Sequence, residues 1–304
     1  MQTILGSQFP GKAILPQRKT HKIQLGPRSA ILCLELKNKN TRSPIILLAH
    51  GMGGCSESGY MRRIAAKIWK QDFGVFMMNQ RGSGPGMGLS ETLWNGGSSD
   101  DMDHMVTYIV NLYPKRSLLI VGFSLSGNVL LKYLGEGRKV CKNIHGAFAV
   151  NPPIDLKIAS QMLSQGNGTG IFNRHYMKLL RRQCQALDEC YPDAFQPQGK
   201  FKTIWDFDVV YTAPASGFKD VEEYYRKSSA KQFIKSIEVP TKILCAKDDP
   251  FIPPTVFEDL GNNGYVNTLF PDQGGHMGYL ASRSTPLGDN RWMDYAVVDW
   301  VENT

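Results

Sequence analysis

The sequence predicts an α/β fold: an eight-stranded, mostly parallel sheet flanked by helices, with one helical cap insertion. Three observations carry that expectation. Short apolar runs alternate with helical patterns along most of the chain, which is the mark of successive βαβ units. The alternation breaks once, from about residue 155 to 235. The stretch "LLIVGFSLSGNVLLKYL", residues 118 to 134, runs from a β-branched apolar segment straight into a helical pattern with Ser124 at the turn.

Strands are expected at "KIQL" (22–25), "AILCLEL" (30–36), "PIILLA" (44–49), "GVFMMN" (74–79), "LLIVGF" (118–123), "GAFAV" (146–150), "TKILCA" (241–246) and "VNTLF" (266–270). Helical patterns lie between or after them at 60–70, 100–113, 127–135 and 292–303. Eight strands with late helices fit the sheet of an α/β-hydrolase. The expected organisation is a core from 1–154 and 236–304, with 155–235 as an insertion over the sheet. A disguised pair of βα units is the alternative reading of that stretch. No internal repeat or low-complexity segment interrupts the chain.

Composition narrows the classes of function. A chain of 304 residues with 42% hydrophobic and 20% charged residues can bury a sizeable core, which argues against disorder. The formal charge of +8 favours an acidic substrate or an anionic membrane surface, so peripheral membrane contact stays open. No run of five or six basic residues occurs, which argues against nucleic acid. Apolar runs such as "IILLA" are far shorter than the roughly 20 residues of a spanning helix. The beginning of the chain lacks the apolar centre of a secretory signal. Six cysteines (33, 55, 141, 184, 190 and 245) form no C-x-x-C pair, and Cys33 and Cys245 fall in strand-like runs where buried free thiols are expected. A reducing cytoplasm follows as the expected compartment. Oligomeric state is not legible.

A serine hydroxyl is a weak nucleophile until a base takes its proton and the backbone presents it to substrate. "GFSLSG", Gly122 to Gly127, has the form of a nucleophile elbow, in which small residues let a strand and a helix meet tightly around the serine. The elbow calls for an acid after a later strand and a histidine after the next one. "ILCAKDDPFIPP" places Asp248 and Asp249 after a strand, and "LFPDQGGHMGY" places His276 in a glycine-bracketed loop. His21, His104, His145 and His175 are out of order for the base. With Ala246 ending the strand and Pro253 following, the general spacing puts the acid on Asp249, with Asp248 as a turn-capping carboxylate. The oxyanion needs two N–H donors: Leu125, directly after the serine and at a helix start, and Met52 in "AHGMGG" after the third strand. "RGSGPGMG" (81–88) has phosphate-loop-like glycine spacing but no G-K-[ST] ending, and is expected to rim the site rather than bind a nucleotide.

The set "HGMGG", "NQRGSG", "GFSLSGNVL", "NPPIDL", "FDVVYTAPASGFKDVEEYYRKSSA", "AKDDPF" and "GGHMGY" resembles the YheT-like α/β-hydrolases, the AB hydrolase 4 family, over nearly the whole chain. The segment from Phe207 to Ala230 is its most specific part. The resemblance implies carboxylic ester hydrolysis without metal or organic cofactor, with Ser124 as nucleophile, His276 as base and an aspartate of "AKDDPF" as orienting acid. Two positions depart from the family pattern. Ser126 replaces the usual glycine and is expected to crowd the elbow slightly; Asn95 in "WNGG" replaces a histidine at the site rim and is expected to alter substrate choice.

The expected function is that of a serine hydrolase acting on a small-molecule ester or lipid with an apolar acyl chain. Met162, Leu163, Ile171, Phe172 and Tyr176 of the insertion are candidates for the pocket wall. "RHYMKLLRRQ" (174–183) offers a basic helix face to solvent or to phospholipid headgroups. A thioesterase or acyltransferase with the same three residues, and a hydrolase-like fold that binds without turnover, are the alternatives.

Overall fold

The computed structural model describes Gln2 and residues 13–165, 170–261 and 263–304. All eight expected strands are present: β1 (Lys19–Gly26), β2 (Ser29–Leu36), β3 (Ile45–Ala49), β4 (Gly74–Asn79), β5 (Leu118–Phe123), β6 (Ile144–Val150), β7 (Thr241–Leu244) and β8 (Val266–Leu269). They form one sheet in the order β1-β2-β4-β3-β5-β6-β7-β8. β2 runs antiparallel to both its neighbours, and the six strands from β4 to β8 are parallel.

β3, β4 and β5 are buried along their full length because helices cover both faces, which is why their sequences read as unbroken apolar runs. Alternate residues serve opposite faces. On one face Ile46 and Leu48 pack with Met61, Ile64 and Ile68 of α1 (Gly59–Lys70) and with Val297 and Val301 of the last helix, Trp292–Glu302. On the other, Ile45, Leu47 and Ala49 pack with Met102, Met105 and Ile109 of α2 (Ser99–Leu112) and Val129 to Leu131 of α3 (Leu125–Gly135). A buried ion cluster ties α1 to the last helix: Arg63 Nε and Lys67 Nζ each donate to Asp294 Oδ2 at 2.9 Å.

Between β6 and β7 the chain contains α4 (Leu156–Gln165), α5 (Gly170–Cys190), α6 (Ile204–Phe207), a π-helical turn (Asp208–Thr212), α7 (Ala213–Ala215) and α8 (Val221–Ser228), followed by a 3-10 segment at Ala230–Ser236. Among its described residues there is no strand, so the alternative of hidden βα units does not hold. α5 turns Met177, Leu180, Gln183 and Leu187 inward, at helical spacing, and exposes Arg174, Lys178, Arg181 and Arg182. No helix among the described residues is long and apolar enough to cross a membrane. The first residues of the chain, apart from Gln2, lie outside the described set.

The connections from β3 and β5 leave the sheet in opposite directions, since β4 lies on one side of β3 and β5 with its successors on the other. In such sheets a crevice opens beyond the carboxyl ends of the strands at that switch point. Ser124, His50, Asn151 and the Asp248–Asp249 pair all follow the carboxyl ends of parallel strands.

Candidate active site

Ser124 occupies a backbone conformation that L-residues rarely adopt, φ 50° and ψ −122°. Such conformations cost about 1–3 kcal/mol and persist where surrounding structure enforces them. Here the Ser124 N–H donates to Val150 O at 2.7 Å, and its carbonyl accepts from the Gly127 N–H at 2.7 Å, so the turn is pinned on both sides. The flanking glycines make the approach possible. A Cβ on Gly122 would lie 2.6 Å from Ser126 O, and one on Gly51 would lie 2.8 Å from Ser124 Cβ.

The expected partners converge on that serine. Ser124 Oγ is 2.9 Å from His276 Nε2, and His276 Nδ1 is 2.8 Å from Asp249 Oδ2. An ionised carboxylate can only accept, so the proton sits on Nδ1 and Nε2 is left to accept from the serine hydroxyl. The ring of Phe251 meets His276 edge-on with centroids 5.0 Å apart, limiting the imidazole's freedom. Asp249 is buried and fully engaged: Oδ1 accepts from the N–H groups of Phe251 and Ile252 at 2.8 and 3.2 Å, and Oδ2 also accepts from Asn151 Nδ2 at 2.6 Å. Asp248 turns the other way. Its Oδ1 accepts from the Gly274 and Gly275 N–H groups at 2.8 and 2.6 Å, holding the loop that carries His276.

Met52 and Leu125 both border the cavity at Ser124, and among the described residues neither N–H donates to another protein group. The turn that carries Met52 is set by buried His50. His50 Nδ1–H donates to Gly51 O at 2.8 Å, and Nε2 accepts from the Gln80 N–H at 3.1 Å. Burial pushes the His50 imidazolium pKa down to about 4, which keeps this two-way contact neutral. Tyr60 adds a third tether by accepting from the Gly51 N–H at 3.0 Å.

Ser126 does not crowd the elbow. It is completely buried, its hydroxyl donates to His50 O and accepts from Gln80 Nε2 at 3.0 Å, and it thereby joins α3 to the turn after β3. Asn95 borders the cavity and reaches Ser216 Oγ with its amide at 2.9 Å, linking the rim to the helical segment.

Ser124 and His276 open into a cavity of about 100 Å³. Its helical wall carries Leu156, Leu163, Tyr176, Leu180, Ile204 and Phe207. Of the candidates for that wall, Leu163 and Tyr176 line it. Met162 and Ile171 are exposed instead, and Phe172 packs behind Phe251 with ring centroids 5.0 Å apart. Met162 and Ile171 point to solvent, whereas Phe172 shares the helix face of Tyr176 and Leu180 and is screened from the cavity by Phe251. The "RGSGPGMG" loop does not border the cavity either; Gly82 O accepts from Gln183 Nε2 at 2.8 Å, and Gln183 is the residue that reaches the lining. Among the described residues no group of three His, Cys, Asp or Glu side chains could hold a metal ion.

Residues 44–282 match the family model described as the alpha/beta hydrolase fold. The chain belongs to the α/β-hydrolase family. Within it, the chain is YheT-like: YheT of Escherichia coli is 26% identical over 266 residues, 85% of this chain and 76% of that protein. A monoacylglycerol lipase of Saccharomyces cerevisiae is 30% identical over 260 residues, 81% of this chain and 57% of the relative. A medium-chain fatty acid ethyl ester synthase/esterase of the same yeast is 26% identical over 284 residues, 84% of this chain and 61% of the relative. This α/β-hydrolase thus spans about three-fifths of the length of the two yeast relatives. Among solved structures, an esterase of Pyrococcus furiosus superposes with a TM-score of 0.59 at 14% identity, over 96% of this chain and 98% of that one, a likeness of fold. Proteins named as esterases and lipases are thus what this α/β-hydrolase is similar to.

Two residues that hold the site were not singled out from the sequence. His50 and Asn151 both follow buried strands directly, and Asn151 has φ 46°, a conformation asparagine tolerates better than most residues. A polar residue at the carboxyl end of a fully apolar strand was the available signal.

Proposed function

We propose that the chain is a serine hydrolase that cleaves carboxylic esters with an apolar acyl chain. His276 Nε2 takes the Ser124 proton as Oγ bonds to the ester carbonyl carbon, and the carbonyl oxygen becomes an oxyanion held by the Met52 and Leu125 N–H groups. Asp249 keeps the imidazole oriented and stabilises its charged form. His276 returns the proton to the departing alcohol, and a water molecule, deprotonated by the same nitrogen, then releases the acid. The observation that carries this reading is the unbroken contact from Asp249 through His276 to Ser124, at 2.8 and 2.9 Å, ending in a cavity with largely apolar walls.

The helical segment from 155 to 235 acts as the cap that supplies those walls. Apolar burial contributes about 0.8 kcal/mol per methylene, so kcat/KM is expected to rise up to about fourfold per added acyl carbon until the cavity is filled. A second reading, transfer of the acyl group to an alcohol in place of water, is favoured by the yeast relative named as an ethyl ester synthase/esterase. A chain-length series of p-nitrophenyl esters, matched thioesters and added alcohol acceptors tests both. Ester turnover that rises with chain length and vanishes in Ser124→Ala is expected. A chain-length profile that is flat or falling contradicts the apolar acyl pocket, and preference for thioesters replaces the ester assignment.

A further inference from the structure

The segment from Phe207 to Ala230 contributes no group to the Ser124–His276–Asp249 contact, yet it delivers a buried carboxyl into the same cavity. Asp208 opens the π-helical turn, where the Ala213 N–H reaches back five residues to Asp208 O. π-turns of this kind occur often at functional sites. Asp208 and Thr212, one helical turn apart, both border the cavity, as do Ser160 of α4 and Tyr225 of α8. Asp208, Ser160 and Tyr225 are 8%, 5% and 2% exposed. Among the described residues no cation is paired with the carboxyl: the hydroxyls of Tyr225 and Thr212 face it, and burial pushes its pKa up to about 6.

Proton counting shows what the cluster lacks. Tyr225 has one hydroxyl proton, which goes to Asp208 Oδ2 at 2.7 Å; Ser160 Oγ, 2.8 Å from the same phenol oxygen, donates its own proton to it. With those two protons committed, acceptor lone pairs remain on Asp208 and Ser160, and the nearby Thr212 hydroxyl favours the charged form of the carboxyl. A largely apolar cavity gains nothing in fold stability from a buried acid without a paired cation, which costs more than an apolar residue of the same size.

The geometry points to a second recognition site in this cavity: Asp208, Ser160 and Tyr225 bind a free hydroxyl group carried by the ester substrate, remote from the scissile carbonyl. The inference rests on the esterase reading above. The hydroxyl can belong to the alcohol half, as in a polyol monoester, or to the far end of the acyl chain. An ammonium group fits less well, because two of the three partners, Ser160 and Tyr225, are neutral hydroxyls and a cation would surrender its hydration to a largely apolar cavity.

The test compares kcat/KM for glyceryl monodecanoate, methyl ω-hydroxydecanoate, aminoethyl decanoate and methyl decanoate in the wild type, Asp208→Asn and Ser160→Ala. The readout is the ratio of each hydroxylated ester to methyl decanoate, which a purely structural role would leave unmoved. The wild type is expected to prefer one hydroxylated ester by about tenfold or more, with that preference lost in Asp208→Asn and reduced at least threefold in Ser160→Ala. The favoured ester assigns the half that carries the hydroxyl. Equal ratios in all three proteins, or a stronger preference for the aminoethyl ester, overturn the inference. A calorimetric comparison of monodecyl glyceryl ether, ω-hydroxydecyl methyl ether and decyl methyl ether on Ser124→Ala reads the same site without turnover. Tighter binding of either hydroxylated ether than of decyl methyl ether, abolished by adding Asp208→Asn, sustains the hydroxyl site even where no ester is cleaved, a result that would sink the esterase reading alone. Equal binding of all three ethers overturns the hydroxyl site.

Discussion

The two walls of the cavity are built on opposite principles. The sheet-edge wall places Met52, Ser124, Asp249 and His276 in turns after β3, β5, β7 and β8, and holds Ser124, His276 and Asp249, the side chains proposed to react, by hydrogen bonds of 2.6–3.2 Å. The helical wall is largely apolar, aliphatic and aromatic together, is assembled from helices and a π-turn, and carries a polar cluster around Asp208. The difference teaches a division of labour. Strand ends hold reacting atoms to a fraction of an ångström, as pre-organised catalysis demands, while helices packed by apolar contact shape what the cavity admits.

That division makes substitutions on the sheet edge the severe ones. Ser124→Ala removes the nucleophile and is expected to lower kcat by about four to six decades, measured with the preferred ester while circular dichroism shows an intact fold. A loss under tenfold would move the chemistry to another residue.

The two adjacent aspartates sharpen the contrast within one turn. Asp249→Asn is expected to cost about four decades in kcat because an amide favours the wrong imidazole tautomer. Asp248→Asn should lose less than a tenth as much, since its amide oxygen still accepts from the Gly274 and Gly275 N–H groups. The reverse ranking, with both proteins folded, would transfer the acid to Asp248.

Ser126 offers a gentler break of the same wall. Ser126→Gly would restore the family's usual residue, but here it leaves His50 O and Gln80 Nε2 without their partner in a fully buried place. The expected cost is about 1–3 kcal/mol in urea unfolding. Unchanged stability would show that water or a local shift replaces the hydroxyl.

The two walls also differ in their response to pH. His50, with its pKa lowered to about 4, stays neutral in the folded chain, so its contribution is present above the unfolded value near 6.5 and is lost as pH falls from there toward 4. Asp208 has the opposite sign. Its pKa is raised from 3.8 to about 6, so the folded state gains on the unfolded as pH falls through that window. Each window is worth at most about 3 kcal/mol at 1.36 kcal/mol per pKa unit, and the two oppose each other. Asp208→Asn deletes one of them. Relative to this variant, the wild type should gain about 2–3 kcal/mol between pH 6.5 and 4, read by urea unfolding at each pH. A constant difference would show that Asp208 titrates normally.

The sheet was legible because burial on both faces writes itself as apolar runs, and every expected strand formed. The boundaries moved where a local feature interrupts the run. β7 ends at Leu244 because Cys245 and Ala246 enter the turn toward Asp249, and β6 begins at Ile144, before the expected start at 146, because the strand runs through exposed His145, which interrupts the apolar pattern. Ser124 and His276 were legible from strand order and small neighbours. His50, Asn151 and Asp208 were not: their contacts with Gln80, Asp249 and Tyr225 lie 30, 98 and 17 residues away, and no local pattern encodes such pairings. The wall residues were half legible, since helical spacing marks an apolar face without saying which face meets the cavity.

The central claim is that Ser124 is made nucleophilic by His276 under the direction of Asp249. The most direct measurement is labelling with a fluorophosphonate, followed by peptide mapping and rate comparison between wild type and Asp249→Asn. The account requires a single phosphonylated serine, Ser124, with the rate falling by about a thousandfold or more in the variant. Labelling at another serine, or an equal rate in both proteins, would contradict it.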